Sequence, residues 1–128
     1  MAPATILVVE DNPANRELLV ELLENEGYRV CQAADAHAAI AAARADPPQL
    51  ILMDLQLPDL DGLEATRRLK ADAATQAIPV DAVTADAHSG EALARAAGCE
   101  AYLSKPIRRQ ELLDVVARCL GEAGGGDP

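Results

Sequence analysis

The chain has no tryptophan and no phenylalanine, and Tyr28 and Tyr102 are its only tyrosines. Its core must therefore be aliphatic, built from Leu, Val, Ile and many Ala. Long apolar runs are missing too. None approaches the roughly 20 residues that cross a bilayer, and no basic, apolar, small-residue leader of the secretory type opens the sequence. Those absences predict a soluble, cytoplasmic protein with no membrane partner. Positive charge is scarce: 11 Lys and Arg stand against 21 Asp and Glu, for a net charge of −10. Such a balance repels the phosphates of nucleic acid and argues against a DNA-binding module. Cys31, Cys99 and Cys119 are odd in number and form no C-x-x-C pair. That argues against a disulfide framework and a thiolate zinc site, and leaves three small apolar residues expected to be buried.

What is present is an alternation. A length of 128 residues suits one domain, and short apolar runs alternate five times with stretches of helical periodicity. Strands are predicted over residues 5–9, 28–32, 49–53, 79–83 and 100–104. Helices are predicted over 14–26, from the cap Asp35 to about 45, and over 62–71, 88–97 and 108–120. Gly27 and Gly98 stand as C-terminal stops. Leu18, Leu19, Leu22 and Leu23 give the first helix its apolar face, and Leu112, Leu113, Val116, Cys119 and Leu120 give the last one its own. Five βα units with short connections predict an α/β fold: a flavodoxin-like, doubly wound parallel sheet in the order 2-1-3-4-5. The domain is expected over 1–121, followed by a flexible Gly-rich tail over 122–128.

Folds of this kind bind ligands at the carboxyl ends of their strands. The stretch Leu50 to Gly62, LILMDLQLPDLDG, reads as a strand buried on both faces that stops at a carboxylate, Asp54. The first strand leads into Glu10 and Asp11, the fourth ends on Thr84 and the fifth leads into Lys105. Three acids brought together repel one another unless a cation joins them. An oxygen donor set without His or Cys points to a hard ion, and Mg²⁺ is the usual one beside phosphoryl groups. A carboxylate beside Mg²⁺ can attack a phosphoryl group to give an acyl phosphate, with a lysine stabilising the charge on its oxygens. A threonine hydroxyl at that rim can donate a hydrogen bond to the product.

Four motifs then carry a resemblance: ILVVEDN (Ile6 to Asn12), LILMDLQLPDLDG (Leu50 to Gly62), VTA (Val83 to Ala85) and YLSKPI (Tyr102 to Ile107). With them the chain resembles the response regulator receiver (CheY-like) family over about Thr5 to Leu120. The wording of EDNPANRELL and GCEAYLSKPI is most similar to stand-alone receivers of the DivK type and to receivers of hybrid kinases. The resemblance implies that Asp54 is the phosphoacceptor of a two-component system or phosphorelay. It implies that Asp11 binds Mg²⁺ directly, Glu10 largely through water, and Gln56 through its backbone carbonyl. Lys105 would pair with a phosphoryl oxygen, and the Lys105–Pro106 bond would be cis. Thr84 and Tyr102 match the switch pair, Thr84 moving toward the phosphoryl group and Tyr102 turning inward. The implied partners are a histidine kinase or histidine phosphotransfer protein, and a downstream target on the face of the fourth helix, fifth strand and fifth helix. Such a chain catalyses only its own phosphorylation and dephosphorylation.

Two positions depart from the family. Asp81 falls inside the fourth strand, where an aliphatic residue is usual; it is expected to reach solvent or a partner such as a helix-end amide. Ala36-His37 stands where a Gly often follows the Asp, and reads as helix propensity. Gln56 and Asp86 flank the acceptor and the switch threonine and would influence hydrolysis of the acyl phosphate. His37 and His88 read as exposed surface residues, and Asp59 and Asp61 as turn chemistry. A phosphatase using an aspartyl phosphate would carry a second acid two residues after the nucleophile; Gln56 occupies that position. A flavin carrier on this fold would need hydroxyls and glycines after the first strand, where Glu10-Asp11-Asn12-Pro13 stands instead.

Overall fold

The protein was analysed as a computed structural model that describes residues 3–85 and 90–121. Its elements alternate as β1 (Thr5–Val9), α1 (Pro13–Asn25), β2 (Arg29–Ala33), α2 (Ala36–Ala45), β3 (Leu50–Asp54), α3 (Gly62–Ala71), β4 (Val80–Thr84), α4 (Gly90–Ala97), β5 (Ala101–Ser104) and α5 (Arg109–Cys119). The strands form one parallel sheet in the order β2-β1-β3-β4-β5, as the alternation predicts. All five residues of β3 and of β4 are buried, which explains why β3 reads as an unbroken apolar run. The expected beginning of α4 at His88, the position of Asp86 and the tail 122–128 lie outside the described residues.

Most boundaries agree to within two residues, and one shift matters chemically. β3 and β4 each run one residue beyond the predicted range, to take in Asp54 and Thr84. Each closes its strand's ladder, Asp54 opposite Val83 and Thr84 opposite Ser104. The backbone that carries these side chains is therefore fixed by the sheet ladder.

The sheet separates two aliphatic cores. On one side Ile6, Val8, Leu50 and Leu52 meet Leu19 and Leu23 of α1 and Leu112 and Val116 of α5. On the other, Leu7, Val9, Ile51 and Met53 meet α2, α3 and α4. There the helices present small side chains. The buried residues of α2 are Ala36, Ala39 and Ala43, and those of α4 are Ala94 and Ala97.

Two expectations about individual residues are corrected and a third is narrowed. Cys31 is exposed rather than buried, because β2 is an edge strand with little covering it. Leu18 is 52% exposed, since four leucines in adjacent pairs span more of the α1 surface than the sheet can cover. Asp81 does not reach solvent, and the partner it finds is a thiol rather than a helix-end amide. It is fully buried, its Oδ1 accepts the Cys119 thiol of α5 at 3.1 Å, and its Oδ2 has no hydrogen-bond partner among the described residues.

Candidate functional site

Each functional side chain sits where a strand stops for a local reason. β1 ends at Glu10, whose N–H still donates to Ala33 O of β2 at 3.1 Å. Asn12 then caps α1, accepting from the Asn15 N–H at 3.0 Å, with Pro13 at the first helical position. Glu10 is held at both ends. Its Oε2 accepts the Asn12 N–H at 3.2 Å, and its backbone carbonyl accepts the Arg16 guanidinium at 2.7 Å. Asp11, one residue on, is exposed.

Beyond Asp54 the chain folds back so tightly that a Cβ on Gly62 would lie 2.5 Å from Asp54 O and 2.7 Å from Leu55 Cα. Only glycine fits there. Asp61 caps α3 by accepting the Leu63 N–H at 2.8 Å. β5 leads into Lys105, whose N–H donates to Thr84 O at 2.8 Å, and the Lys105–Pro106 bond is cis, as the resemblance implies.

These turns bring four of the expected side chains together. Carboxylate oxygens of Glu10, Asp11 and Asp54 all lie within 4.8 Å of one another. Lys105 Nζ reaches in from the side, 2.9 Å from Glu10 Oε1 and 3.2 Å from Asp54 Oδ2. The Gln56 N–H donates to Asp54 Oδ1 at 2.9 Å, while the residue itself is exposed. Thr84 is buried at the end of β4. Tyr102, opposite Ala82 in the register, points to the same face of the sheet as Thr84 and is half-buried against the α2–α3–α4 core. Its hydroxyl lies 2.6 Å from where a Cβ on Gly90 would stand.

The electrostatics are those of an acid pocket short of positive charge. Burial is the largest influence on Asp54 and pushes its carboxyl up to about 6; the Gln56 N–H pulls down, the Glu10 charge pushes up, and the Lys105 ammonium pulls down again. Desolvation would lower the Lys105 ammonium, but Glu10 and Asp54 outweigh it and hold it above its ordinary value. One ammonium faces three carboxylates. Among the described residues Glu10 Oε1 is buried and makes no well-aligned hydrogen bond, although Lys105 Nζ is near it. An under-satisfied carboxylate oxygen in an all-oxygen cluster is what a hard divalent ion would complete, so the residues fit Mg²⁺.

Two contacts around the pocket had no signal in the sequence. Arg16 links the Glu10 carbonyl to Gln32 Oε1 on β2, 3.3 Å from its Nε. Asp59, which reads as a turn residue, reaches across to the start of α2 and binds Ala36, His37 and the His37 ring.

The sequence profile of the response regulator receiver domain matches residues 6–117. The chain belongs to that family. Among curated relatives, the polar-differentiation response regulator DivK of Brucella anthropi is 43% identical over 122 residues, covering 94% of this chain and 99% of its own. DivK of Brucella ovis is also 43% identical, over 93% of this chain and 98% of its own. The receiver domain of the sensor histidine kinase PA1611 from Pseudomonas aeruginosa superposes with a TM-score of 0.88 at 39% identity. It covers 94% of this chain and all of that one, and was crystallised with a magnesium ion in its active site cleft. The chemotaxis protein CheY4 of Vibrio cholerae gives a TM-score of 0.86 at 26% identity, over 92% and 99% of the two chains. Receivers are signalling proteins, and the acidic cluster of this receiver lies on the rim where β1 and β3 end side by side.

Proposed function

We propose that this receiver takes a phosphoryl group from the phosphohistidine of a histidine kinase or histidine phosphotransfer protein onto Asp54. One observation carries the reading: an acceptor carboxylate locked at the end of β3, flanked by Glu10 and Asp11 and touched by Lys105. In its ionised form, Asp54 attacks phosphorus. The P–N bond of the donor breaks and its electron pair returns to the imidazole. Lys105 stands ready to move from the acceptor carboxylate to a phosphoryl oxygen, and Thr84, on the neighbouring strand end, to donate to another. Asp11, Asp54 and the Gln56 carbonyl would hold Mg²⁺ directly and Glu10 largely through water; the ion supplies positive charge against the phosphoryl oxygens. New negative charge at the rim draws Thr84 inward, Tyr102 follows, and the face made by α4, β5 and α5 changes for a downstream partner.

We read the receiver domain as running to about 121, a reading supported by α5 closing at Cys119 with Leu120 as its C-cap. It works in the cytoplasm and transforms no substrate beyond its own phosphoryl group. The same chemistry serves a separate regulator, like the DivK proteins, or the receiver of a hybrid kinase, like that of PA1611.

Intact-mass spectrometry after incubation with acetyl phosphate tests the reading. One phosphoryl increment is expected on the wild type with Mg²⁺, and none on Asp54→Asn or without the ion. Labelling of Asp54→Asn to the wild-type level would overturn it.

A further inference from the structure

The loop over residues 55–61 joins β3 to α3 and carries Gln56 on its outer arm. At its far end it is fastened tightly: the Gly62 N–H donates to Leu55 O at 3.2 Å, and Asp61 caps α3. The outer arm is held differently. Leu57 and Leu60 are partly buried against the core, and the Gln56 N–H donates to Asp54 Oδ1. Among the described residues, Asp59 is a further polar anchor of this arm. Its Oδ1 accepts the Ala36 N–H at 2.9 Å, its Oδ2 accepts the His37 N–H at 3.0 Å, and His37 Nδ1 lies 2.6 Å from the same Oδ2.

α2 already has a cap of its own. Asp35 Oδ1 accepts the Ala38 N–H at 2.8 Å, and the Asp35 carbonyl accepts the Ala39 N–H at 3.1 Å. The first N–H groups of one helix are thus shared between an adjacent aspartate and one that arrives from the acceptor loop. Desolvation opposes the charge on Asp59, yet the Ala36 and His37 donors outweigh it and hold the carboxyl well below the usual range. The helix end it grips is firmly seated, because Ala36 is completely buried.

We propose that Asp59 is a positioning residue for the acidic pocket. By gripping the start of α2 with both oxygens, it fixes the outer arm of the loop and with it the direction of the Gln56 carbonyl. The inference rests on the reading of Gln56 as a metal ligand and adds a contact outside the pocket on which that ligand depends. A residue that only capped α2 would stabilise the helix and leave the pocket indifferent.

The test is calorimetric titration with Mg²⁺ beside thermal melts, on the full chain and three variants. Asp59→Ala is expected to weaken Mg²⁺ binding about tenfold, the scale on which partners behind metal ligands act. Adding Ala38→Gln to Asp59→Ala gives α2 a second cap from its own exposed third position. That double variant is expected to regain melting temperature without regaining Mg²⁺ affinity. Asp59→Asn keeps an accepting oxygen but no charge, and is expected to retain more affinity than Asp59→Ala. Wild-type affinity in Asp59→Ala, recovery of affinity in the double variant, or equal losses in Asp59→Asn and Asp59→Ala would each overturn the proposal. A wild-type chain that binds no Mg²⁺ and takes no phosphoryl group would overturn the function itself, a failure distinct from those three.

Discussion

Replacing Asp81 by valine should stabilise this receiver, and the gain should depend on pH. The carboxyl lies on β4, one strand in from the edge, with one thiol donor and, among the described residues, one unpartnered oxygen. Burial pushes it from 3.8 up to about 6; the Cys119 bond pulls it down, the Glu100 charge pushes it up and the Arg118 charge pulls it down. The folded chain therefore holds this proton more tightly than the unfolded chain does. Well below pH 3.8 both states are protonated and ionisation costs nothing. As pH rises, the unfolded chain ionises first, so the penalty grows until the folded carboxyl also ionises above about 6. A displacement of about two units, at about 1.4 kcal/mol each, makes the plateau about 3 kcal/mol. Valine removes the ionisation and suits a buried strand, while Cys119 loses only a weak thiol bond. For a chain of this size about 3 kcal/mol corresponds to roughly 10 °C in melting temperature. Far-UV circular dichroism melts from pH 4 to pH 8 read it directly. The expected gap between variant and wild type is large at pH 7.5 and shrinks toward pH 4. A gap independent of pH, or a wild type more stable at pH 7.5, would refute the reasoning.

Two further outcomes follow from the geometry. Gly62→Ala sets a methyl against the backbone of Asp54 and Leu55, where no rotamer change relieves it, so a loss of about 1–3 kcal/mol is expected in thermal melts; an unchanged melting temperature would contradict it. Mg²⁺ must displace the proton that burial favours on Asp54, so its affinity should rise with pH through about 6 and level off above. Calorimetry in buffers of different ionisation enthalpy would register the released proton, and an affinity flat from pH 5 to pH 7.5 would contradict that displacement.

Much of the fold was legible because its signals are local. TILVV and LILM announce strands buried on both faces, Asp35 and Gly27 mark helix ends, and the alternation leaves few sheet orders to choose from. The candidate pocket was legible for the same reason: Glu10, Asp54, Thr84 and Lys105 each end or follow a strand, and parallel strands bring such positions to one rim. What escaped was pairing across the fold. The Asp59–His37 contact spans 22 positions, and no composition rule links a turn aspartate to a distant helix end. Asp81 was visible as an oddity, but its thiol partner lies 38 positions away on α5. The exposure of Cys31 follows from β2 being at the edge, a property of the assembled sheet.

The alanine lining of α4 has a consequence for how easily that helix moves. Its described part, Gly90–Ala97, buries only the methyl groups of Ala94 and Ala97, while Leu93 is 55% exposed. At about 0.8 kcal/mol for each buried carbon, such a seat contributes less than the burial of one leucine. Methyl groups also make shallow ridges, so the helix can slide or tilt without climbing over a neighbour's side chain. If the rim gains charge as proposed, α4 is a part of the molecule that a modest free-energy change there should displace while β3 and Asp54 stay in place. Amide protons of α4 should exchange with solvent long before those of the central strands.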